Sequence, residues 1–346
     1  HLAYQKRSII DVRGAGTAMR FLTAFFAQRE GADVVLTGIE RMKQRPIAPL
    51  VDALRTLGAD ITYMEREGCP PLHIRGHKLK GDVITIDGSI SSQYVSALLM
   101  IAPKTGVRRL TLTGRIVSRP YVEMTRALMA HFGIRITWED DHTLAIPGGT
   151  YHTAPLTIEG DWSAASYWLA FEALARQQDI PYDVTLKGLT LPSLQGDSVC
   201  KKFFESTRND DAFIDFTDCP DLVQTMAVAY CLMGKPFVFT GTESLRIKET
   251  DRIAALIMEL GKLGYKLHYE YGTLKWEGQP CPQHPSEGKG DTPVIDTYND
   301  HRMAMSFALA AMKRGSILIN HPEVVSKSYP AFWHDLRNVG FNIEEL

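Results

Sequence analysis

The chain has 346 residues, 45% of them hydrophobic and 23% charged, which is an ordinary globular composition for about two domains. Its 38 Lys and Arg against 40 Asp and Glu leave a formal charge of −2, which argues against broad nucleic-acid binding but allows a local cationic pocket. There is no apolar run of the roughly 18 residues a membrane span needs, and the five scattered cysteines (Cys69, Cys200, Cys219, Cys231, Cys281) form no Cys-x-x-Cys pair, supporting neither a zinc knuckle nor a disulfide framework.

The start, His1-Leu2-Ala3-Tyr4-Gln5-Lys6-Arg7, lacks the apolar core of a signal peptide, so a reducing cytoplasm is expected. Gly16-Thr17-Ala18-Met19-Arg20 opens a first helix rich in small apolar residues. Arg41-Met42-Lys43-Gln44-Arg45-Pro46 places an arginine before a helix-starting proline. That helix runs through Leu54 and Leu57 to Gly58, which suits the left-handed position ending a helix. Alternation in Ile61-Thr62-Tyr63 then reads as a strand. The same sequence of signals returns with a helix start at Ser91-Ser92-Gln93-Tyr94, an ending at Met129/Phe132-Gly133 and a strand at Ile136-Thr137-Trp138.

A composition shift near Leu156-Thr157-Ile158-Glu159-Gly160 marks a boundary, giving domains 1–157 and 158–346. Past it, a third start falls at Ser163-Ala164-Ala165-Ser166, with Lys201-Lys202-Phe203-Phe204 as a degenerate second helix. A fourth start is Asp221-Leu222-Val223-Gln224, ending at Leu260/Leu263-Gly264 before Leu267. The Pro- and Gly-rich stretch Gln279 to Thr292 reads as a surface loop. A fifth start, Asp300-His301-Arg302-Met303, precedes Lys327 in a loop and a last helix ending at Leu336/Val339-Gly340, before a segment at Ile343 that reads as a strand like those after the other glycines. Trp162, Trp168, Trp276 and Trp333 fall in the pattern as core residues.

In four of the five copies the terminating glycine follows its helix start by roughly 40 residues, a period that marks a repeat architecture. Two units precede the boundary and three follow it. If the halves are equivalent, one unit is missing at the N-terminus; a complete reading frame beginning at His1 would defeat that expectation.

Helix starts expose unpaired amides and a partial positive charge, which makes them ready anion sites. Polar residues there are also ordinary caps. The cations nearby tip the balance. Arg246-Ile247-Lys248-Glu249-Thr250-Asp251-Arg252 interleaves three cations with two carboxylates, and Arg302 sits in a first turn where it opposes the dipole. A multiply charged phosphate or carboxylate ligand fits this set. Asp221 and Glu249 would repel such a ligand, so their place among cations suits proton transfer.

Several motifs together resemble the 5-enolpyruvylshikimate-3-phosphate synthase family (3-phosphoshikimate 1-carboxyvinyltransferases). They are Ala15-Gly16-Thr17-Ala18-Met19-Arg20, Arg41 to Pro46, Asp87-Gly88-Ser89-Ile90-Ser91-Ser92-Gln93, Val117-Ser118-Arg119-Pro120-Tyr121, Glu159-Gly160-Asp161-Trp162-Ser163, Arg246 to Arg252, and Tyr298-Asn299-Asp300-His301-Arg302-Met303-Ala304-Met305. The resemblance runs from about residue 11 to the end. It implies an α/β fold, a two-domain inside-out α/β barrel of repeated helix–strand units whose helix starts face an interdomain cleft. It also implies transfer of the enolpyruvyl group of phosphoenolpyruvate to the 5-hydroxyl of shikimate 3-phosphate by addition–elimination, with no metal or organic cofactor, in a cytoplasmic monomer.

Position by position, the resemblance assigns Gly16, Arg45, Gln93, Arg252, Arg302 and Lys327 to phosphoenolpyruvate, with His301 beside them in the binding set. It assigns Ser91, Ser92, Gln93, Ser118, Asp221 and Lys248 to shikimate 3-phosphate, with Tyr121 on the phosphate side. Asp221 would accept or orient the 5-hydroxyl proton, Glu249 would protonate the methylene carbon, and Lys248 would reach toward the reacting hydroxyl. Gly16 is retained, so glyphosate, a phosphoenolpyruvate mimic in this family, is expected to bind a complete enzyme.

The departures are specific. The family's Lys-Ser-x-x-x-Arg helix start has no copy here; Lys6-Arg7-Ser8 does not match it. A pocket lacking it would lose about three polar contacts, each worth about 1.5–3 kcal/mol where charged. Ser244 stands where the family often has Asn, and Phe21 where Pro often follows Arg20. A UDP-N-acetylglucosamine enolpyruvyl transferase usually carries a reactive Cys at the position of Glu40, which disfavours that rival. A non-catalytic anion-binding remnant of the fold is the other alternative.

Overall fold

Three stretches of this chain repeat one topology. A strand, a helix and a second, parallel strand are followed by a helix and an antiparallel strand pair. Parallel neighbours need a crossover, and the intervening helix supplies it. The computed structural model describes residues 7–205, 212–281 and 292–346. It divides into two compact units, His1–Thr157 and Ile158–Leu346.

In the first unit, β1 (Ser8–Asp11), α1 (Gly16–Ala27) and β2 (Asp33–Thr37) form the first crossover. The short α2 (Glu40–Lys43) and α3 (Ala48–Thr56) lead to β3 (Asp60–Tyr63) and β4 (Leu72–Arg75), and the sheet order is β1-β2-β4-β3. The second copy is β5 (Val83–Asp87), α4 (Ser92–Thr105), β6 (Arg109–Thr113), α5 (Arg119–His131), β7 (Thr137–Trp138) and β8 (Thr143–Ala145), in the order β5-β6-β8-β7. Leu36, Leu54, Leu72, Ile84, Leu98 and Leu110 share one core beneath both sheets.

The second unit begins with α6 (Trp162–Gln177) and α7 (Cys200–Glu205). A third copy follows in β9 (Ala212–Asp215), α8 (Val223–Leu232), β10 (Phe237–Thr240), α9 (Arg252–Lys262), β11 (His268–Glu270) and β12 (Thr273–Trp276), ordered β11-β12-β10-β9. A shortened copy has β13 (Val294–Ile295), α10 (His301–Ala308), α11 (Ala310–Arg314), β14 (Leu318–Ile319) and α12 (Phe332–Asn338), with β13 and β14 parallel. Trp162, Trp168 and Trp276 are buried in this unit's core, and Trp333 packs partly buried against it. Cys69, Cys200, Cys219 and Cys231 are buried free thiols.

Side-chain hydrogen bonds tie neighbouring helices together within each unit. In the first, Gln93 donates to Thr17 Oγ1 (3.0 Å) at the starts of α4 and α1. One turn further in, Ser96 and Thr125 share a buried hydrogen bond of 2.7 Å between α4 and α5. In the second, Ser166, Thr225 and Ser306 link α6, α8 and α10 at 3.4 Å each. Each polar pair satisfies groups that would be costly to bury alone, and each fixes neighbouring helix starts at the same end of its unit.

The glycines at the helix ends adopt positive φ, at Gly58 (93°), Gly133 (97°), Gly264 (90°) and Gly340 (102°). The structure corrects several details of the sequence reading. Pro46 does not start a helix: Ile47 stays outside the helical region because its N–H bonds Gly68 O (2.8 Å), and α3 begins at Ala48. The third start begins one residue early, at Trp162, since Asp161 caps it by accepting from Ser163 and Ala164. Asp221 lies in a 3-10 turn (Pro220–Leu222) ahead of α8 rather than in the helix. The unit expected from the third helix start yields α6 and α7 but no sheet of its own among the described residues. Nor does a strand follow Gly340; Phe341 and Ile343 instead pack on the core. Most of the 279–292 stretch, and the opening residues 1–6, lie outside the described residues. No described helix is long and apolar enough to cross a membrane.

A Cβ at Gly264 would meet nothing within 4 Å, so substitution there tests the backbone alone. Gly264→Ala is expected to cost about 1–2 kcal/mol in urea unfolding from left-handed strain; an unchanged midpoint would show that the positive φ is not required.

Candidate active site

Helix α9 carries its apolar stripe, Ile253, Leu256 and Leu260, into the core of the second unit. Asp251 caps it by accepting from the Ala254 amide (3.1 Å), which makes Arg252 the first helical residue and draws it in with the stripe. Arg252 is 1% exposed. A buried guanidinium needs partners in every direction, and three carboxylates supply them. Nε donates to Asp300 Oδ2 at 2.7 Å, Nη1 to Asp221 Oδ1 at 2.8 Å and Nη2 to Glu249 Oε2 at 2.9 Å. Burial opposes its charge, but Asp300, Glu249 and Asp221 raise its pKa and keep it protonated.

Each carboxylate comes from a different turn. Asp300 caps α10, accepting from the Arg302 amide at 2.9 Å, and is fully buried. Asp221 sits in the 3-10 turn ahead of α8. Glu249 follows the 3-10 turn Glu243–Ile247. A second ring of cations closes around them: Arg302 Nη2 donates to Asp221 Oδ2 (3.1 Å), Lys248 Nζ stands 3.4 Å from Asp221 Oδ1, and Lys327 pairs with Glu249. Arg302 also reaches the hydroxyl of Tyr167 at 3.5 Å.

Among the described residues the cluster therefore holds four cations against three carboxylates, an excess that favours an incoming anion. Burial would raise the Asp221 pKa, but the field of Arg302, Lys248 and Arg252 holds its carboxyl well below the usual range. Asp221 is thus an ionised acceptor.

His301 is 5% exposed in the first turn of α10. Burial, then the nearby Arg302, pushes its pKa down to about 3 despite Asp300 beside it, so it is neutral at pH 7. Ser244 is half-buried on the 3-10 turn and makes no hydrogen bond to this cluster among the described residues.

The first unit assembles a separate group at the starts of α1, α4 and α5. Gly16 is the first residue of α1, and a Cβ there would lie 2.9 Å from Arg45 Nη1 and 3.0 Å from Arg20 Nη1. Glycine thus lets two guanidinium groups close on the amino end of a helix, where the dipole disfavours cations and favours an anion. Arg20 is 5% exposed and donates to Gly16 O (3.1 Å). Ser91 caps α4, accepting from the Gln93 amide at 3.2 Å; Ser92 is buried beside it, and Gln93 spans to Thr17. Tyr94 anchors the Arg45 loop by donating to Pro46 O (2.5 Å). Ser118 caps α5 from the left-handed region (φ 55°) with no side-chain cap bond, and Tyr121 follows in the first turn.

Within the second unit, then, the structure brings Asp221, Lys248, Glu249, Arg252, Arg302 and Lys327 together, with His301 alongside, while Ser244 lies on the turn that leads into Lys248. Within the first it groups Gly16 with Arg45, and Ser91, Ser92 and Gln93 at one helix start. Sequence reasoning passed over Arg20, Tyr167, Asp300 as a ligand of Arg252, and Glu259. A carboxylate at Glu259, on the apolar face three residues after Leu256 and seven after Arg252, was the available signal for the last of these.

A chain with such paired anion-binding helix starts and a carboxylate–guanidinium cluster has the makings of a group-transfer enzyme acting on anions. A profile of the family "EPSP synthase (3-phosphoshikimate 1-carboxyvinyltransferase)" matches residues 1–336. The 3-phosphoshikimate 1-carboxyvinyltransferase of Bacteroides fragilis (strain ATCC 25285) is 48% identical over 97% of this chain and 84% of its own length. That of Sulfurovum sp. (strain NBC37-1) is 38% identical over 94% and 77%. A solved EPSP synthase from Acinetobacter baumannii superposes with a TM-score of 0.71 at 22% identity, covering 97% of this chain and 80% of that one. This chain belongs to the EPSP synthase family.

The His301 shift makes a signed prediction. Its folded pKa lies below the unfolded value of 6.5, so the unfolded chain gains a proton first and stability falls as pH drops from about 6.5 toward 3. Unfolding free energies from urea titrations at pH 7, 5.5 and 4.5 should fall more steeply in the parent than in His301→Gln, by up to about 1.4 kcal/mol per pH unit. Parallel slopes would contradict a buried, neutral His301.

Proposed function

We propose that this protein transfers the enolpyruvyl group of phosphoenolpyruvate to the 5-hydroxyl of shikimate 3-phosphate and releases phosphate. The observation that carries the reading is the buried guanidinium of Arg252 tying Asp221, Glu249 and Asp300 together beneath Lys248, Arg302 and Lys327. Carboxylates held among the cations that would hold an anion are placed to take and return protons.

In this reading Arg252, Arg302 and Lys327 hold the carboxylate and phosphate of phosphoenolpyruvate. Gly16, Arg45 and Gln93 of the first unit occupy the matching family positions. Shikimate 3-phosphate uses Ser91, Ser92, Gln93, Ser118, Tyr121 and Lys248. Asp221 orients the 5-hydroxyl by accepting its hydrogen bond. Its low pKa in the empty protein makes it a weak base; an arriving anion that engages Arg302 loosens that hold and makes Asp221 more basic. The hydroxyl oxygen bonds to C2, passing its proton to Asp221 for delivery to the departing phosphate, as the double-bond pair takes a proton at C3 from Glu249, which enters the step in its acid form. The tetrahedral adduct then collapses: C3 returns a proton to Glu249, the double bond reforms, and phosphate leaves C2. Fixed cations and helix dipoles stabilise the charge that moves. The reading includes a monomeric, cytoplasmic protein with no organic cofactor.

Phosphate release, measured on this chain and on the full reading frame that contains it, tests the proposal. Release that requires both substrates is expected, with Glu249→Gln lowering kcat by about 10²–10⁴-fold, the range for loss of a general acid. Anion binding without turnover in either form would make this an anion-binding protein instead.

A further inference from the structure

The cation and cap that α10 contributes, Arg302 and Asp300, stand at the end of an unusual turn. Tyr298 and Asn299 both occupy the left-handed region, at φ 52° and 56°. Neither is glycine, and two successive residues in that region persist only where their surroundings force it. Arg252 holds the far end of the turn through Asp300. What holds the near end is Glu259, two turns further along the same helix α9.

Glu259 is fully buried on a face otherwise given to Leu256 and Leu260. Its Oε1 accepts from the Tyr298 hydroxyl at 2.7 Å, and its Oε2 accepts from the Asp296 amide at 3.1 Å. Lys262 balances its charge at 2.7 Å and also grips Asp296 at 2.9 Å. Asn320 donates to the other Asp296 oxygen at 2.7 Å, which ties β14 to the same point. One rigid helix therefore pins both ends of the 296–300 turn, with a guanidinium at its start and a carboxylate in its middle. Among the described residues Glu259 makes no hydrogen bond or ion pair with Asp221, Glu249, Arg302 or Lys327, so its influence passes through the turn.

We propose that Glu259 is a positioning residue that sets the anion-binding start of α10, acting through Tyr298 and the Asp296 amide. The inference rests on the enolpyruvyl-transfer reading for its kinetic consequence. A buried carboxylate on an apolar face has no packing advantage over leucine; here it fixes a strained turn that aims Arg302. Sites of this kind tolerate little misplacement, and a shift of an ångström far from the chemistry is costly in rate.

Tyr298→Phe and Glu259→Gln, made in the enzyme as it is expressed, test it. Both should raise KM for phosphoenolpyruvate, by about tenfold in Tyr298→Phe and toward a hundredfold in Glu259→Gln, with KM for shikimate 3-phosphate left within about twofold in both. A purely structural role would instead raise both KM values in step with a lower melting temperature, and that result, or unchanged kinetics, overturns the proposal. Amide hydrogen exchange decides independently of turnover. Faster exchange at residues 297–303 in Glu259→Gln, with α1 unchanged, upholds the brace; unchanged exchange there sinks it. If the parent protein itself fails to turn over, the functional reading falls while the exchange result still judges the brace.

Discussion

The second unit depends on one buried positive charge. Arg252 is drawn inward because α9 must bury its leucine stripe, and once inside it needs carboxylates to remain there. Asp221, Glu249 and Asp300 answer that need from three separate turns. A structural demand thereby concentrates acids where catalysis can use them. Removing one partner from such a set commonly costs about 3–5 kcal/mol, so the folding of the unit and the geometry of its chemistry are one problem.

On the proposed reading, the two units hold anions by different means. The first presents arginines to a helix start whose glycine leaves room for them, with hydroxyls and an amide at the neighbouring starts. The second surrounds its cations with acids. In that division the first unit is equipped to hold charge and the second to move protons as well. Ser96 with Thr125, and Ser166, Thr225 and Ser306, hold neighbouring helices together near their starts within each unit.

Much of this was legible in the sequence because it rests on local rules. Gly58, Gly133, Gly264 and Gly340 marked helix ends because only glycine adopts those backbone angles without strain, and all four do. The motifs around Gly16, Ser91, Lys248 and Arg302 were legible as sets of charge beside helix starts. Pro46 misled because the helix-start rule is local while Ile47 answers to Gly68, 21 positions along the chain. The strand expected after Gly340 needs hydrogen-bonding partners, and alternation in sequence cannot supply them; β13 and β14 pair only with each other among the described residues. Glu259 and Tyr167 were passed over because their partners, Tyr298 and Arg302, are 39 and 135 residues away, and no spacing rule reaches so far.

The central claim is electrostatic, that the cations around Arg252 keep Asp221 ionised while the site is empty. Carbon-detected NMR titration of the Asp221 carboxyl reads this directly. The account predicts a midpoint well below the ordinary aspartate value of 3.8, rising when phosphoenolpyruvate draws Arg302 away. A midpoint at or above the ordinary value in the empty protein would contradict it.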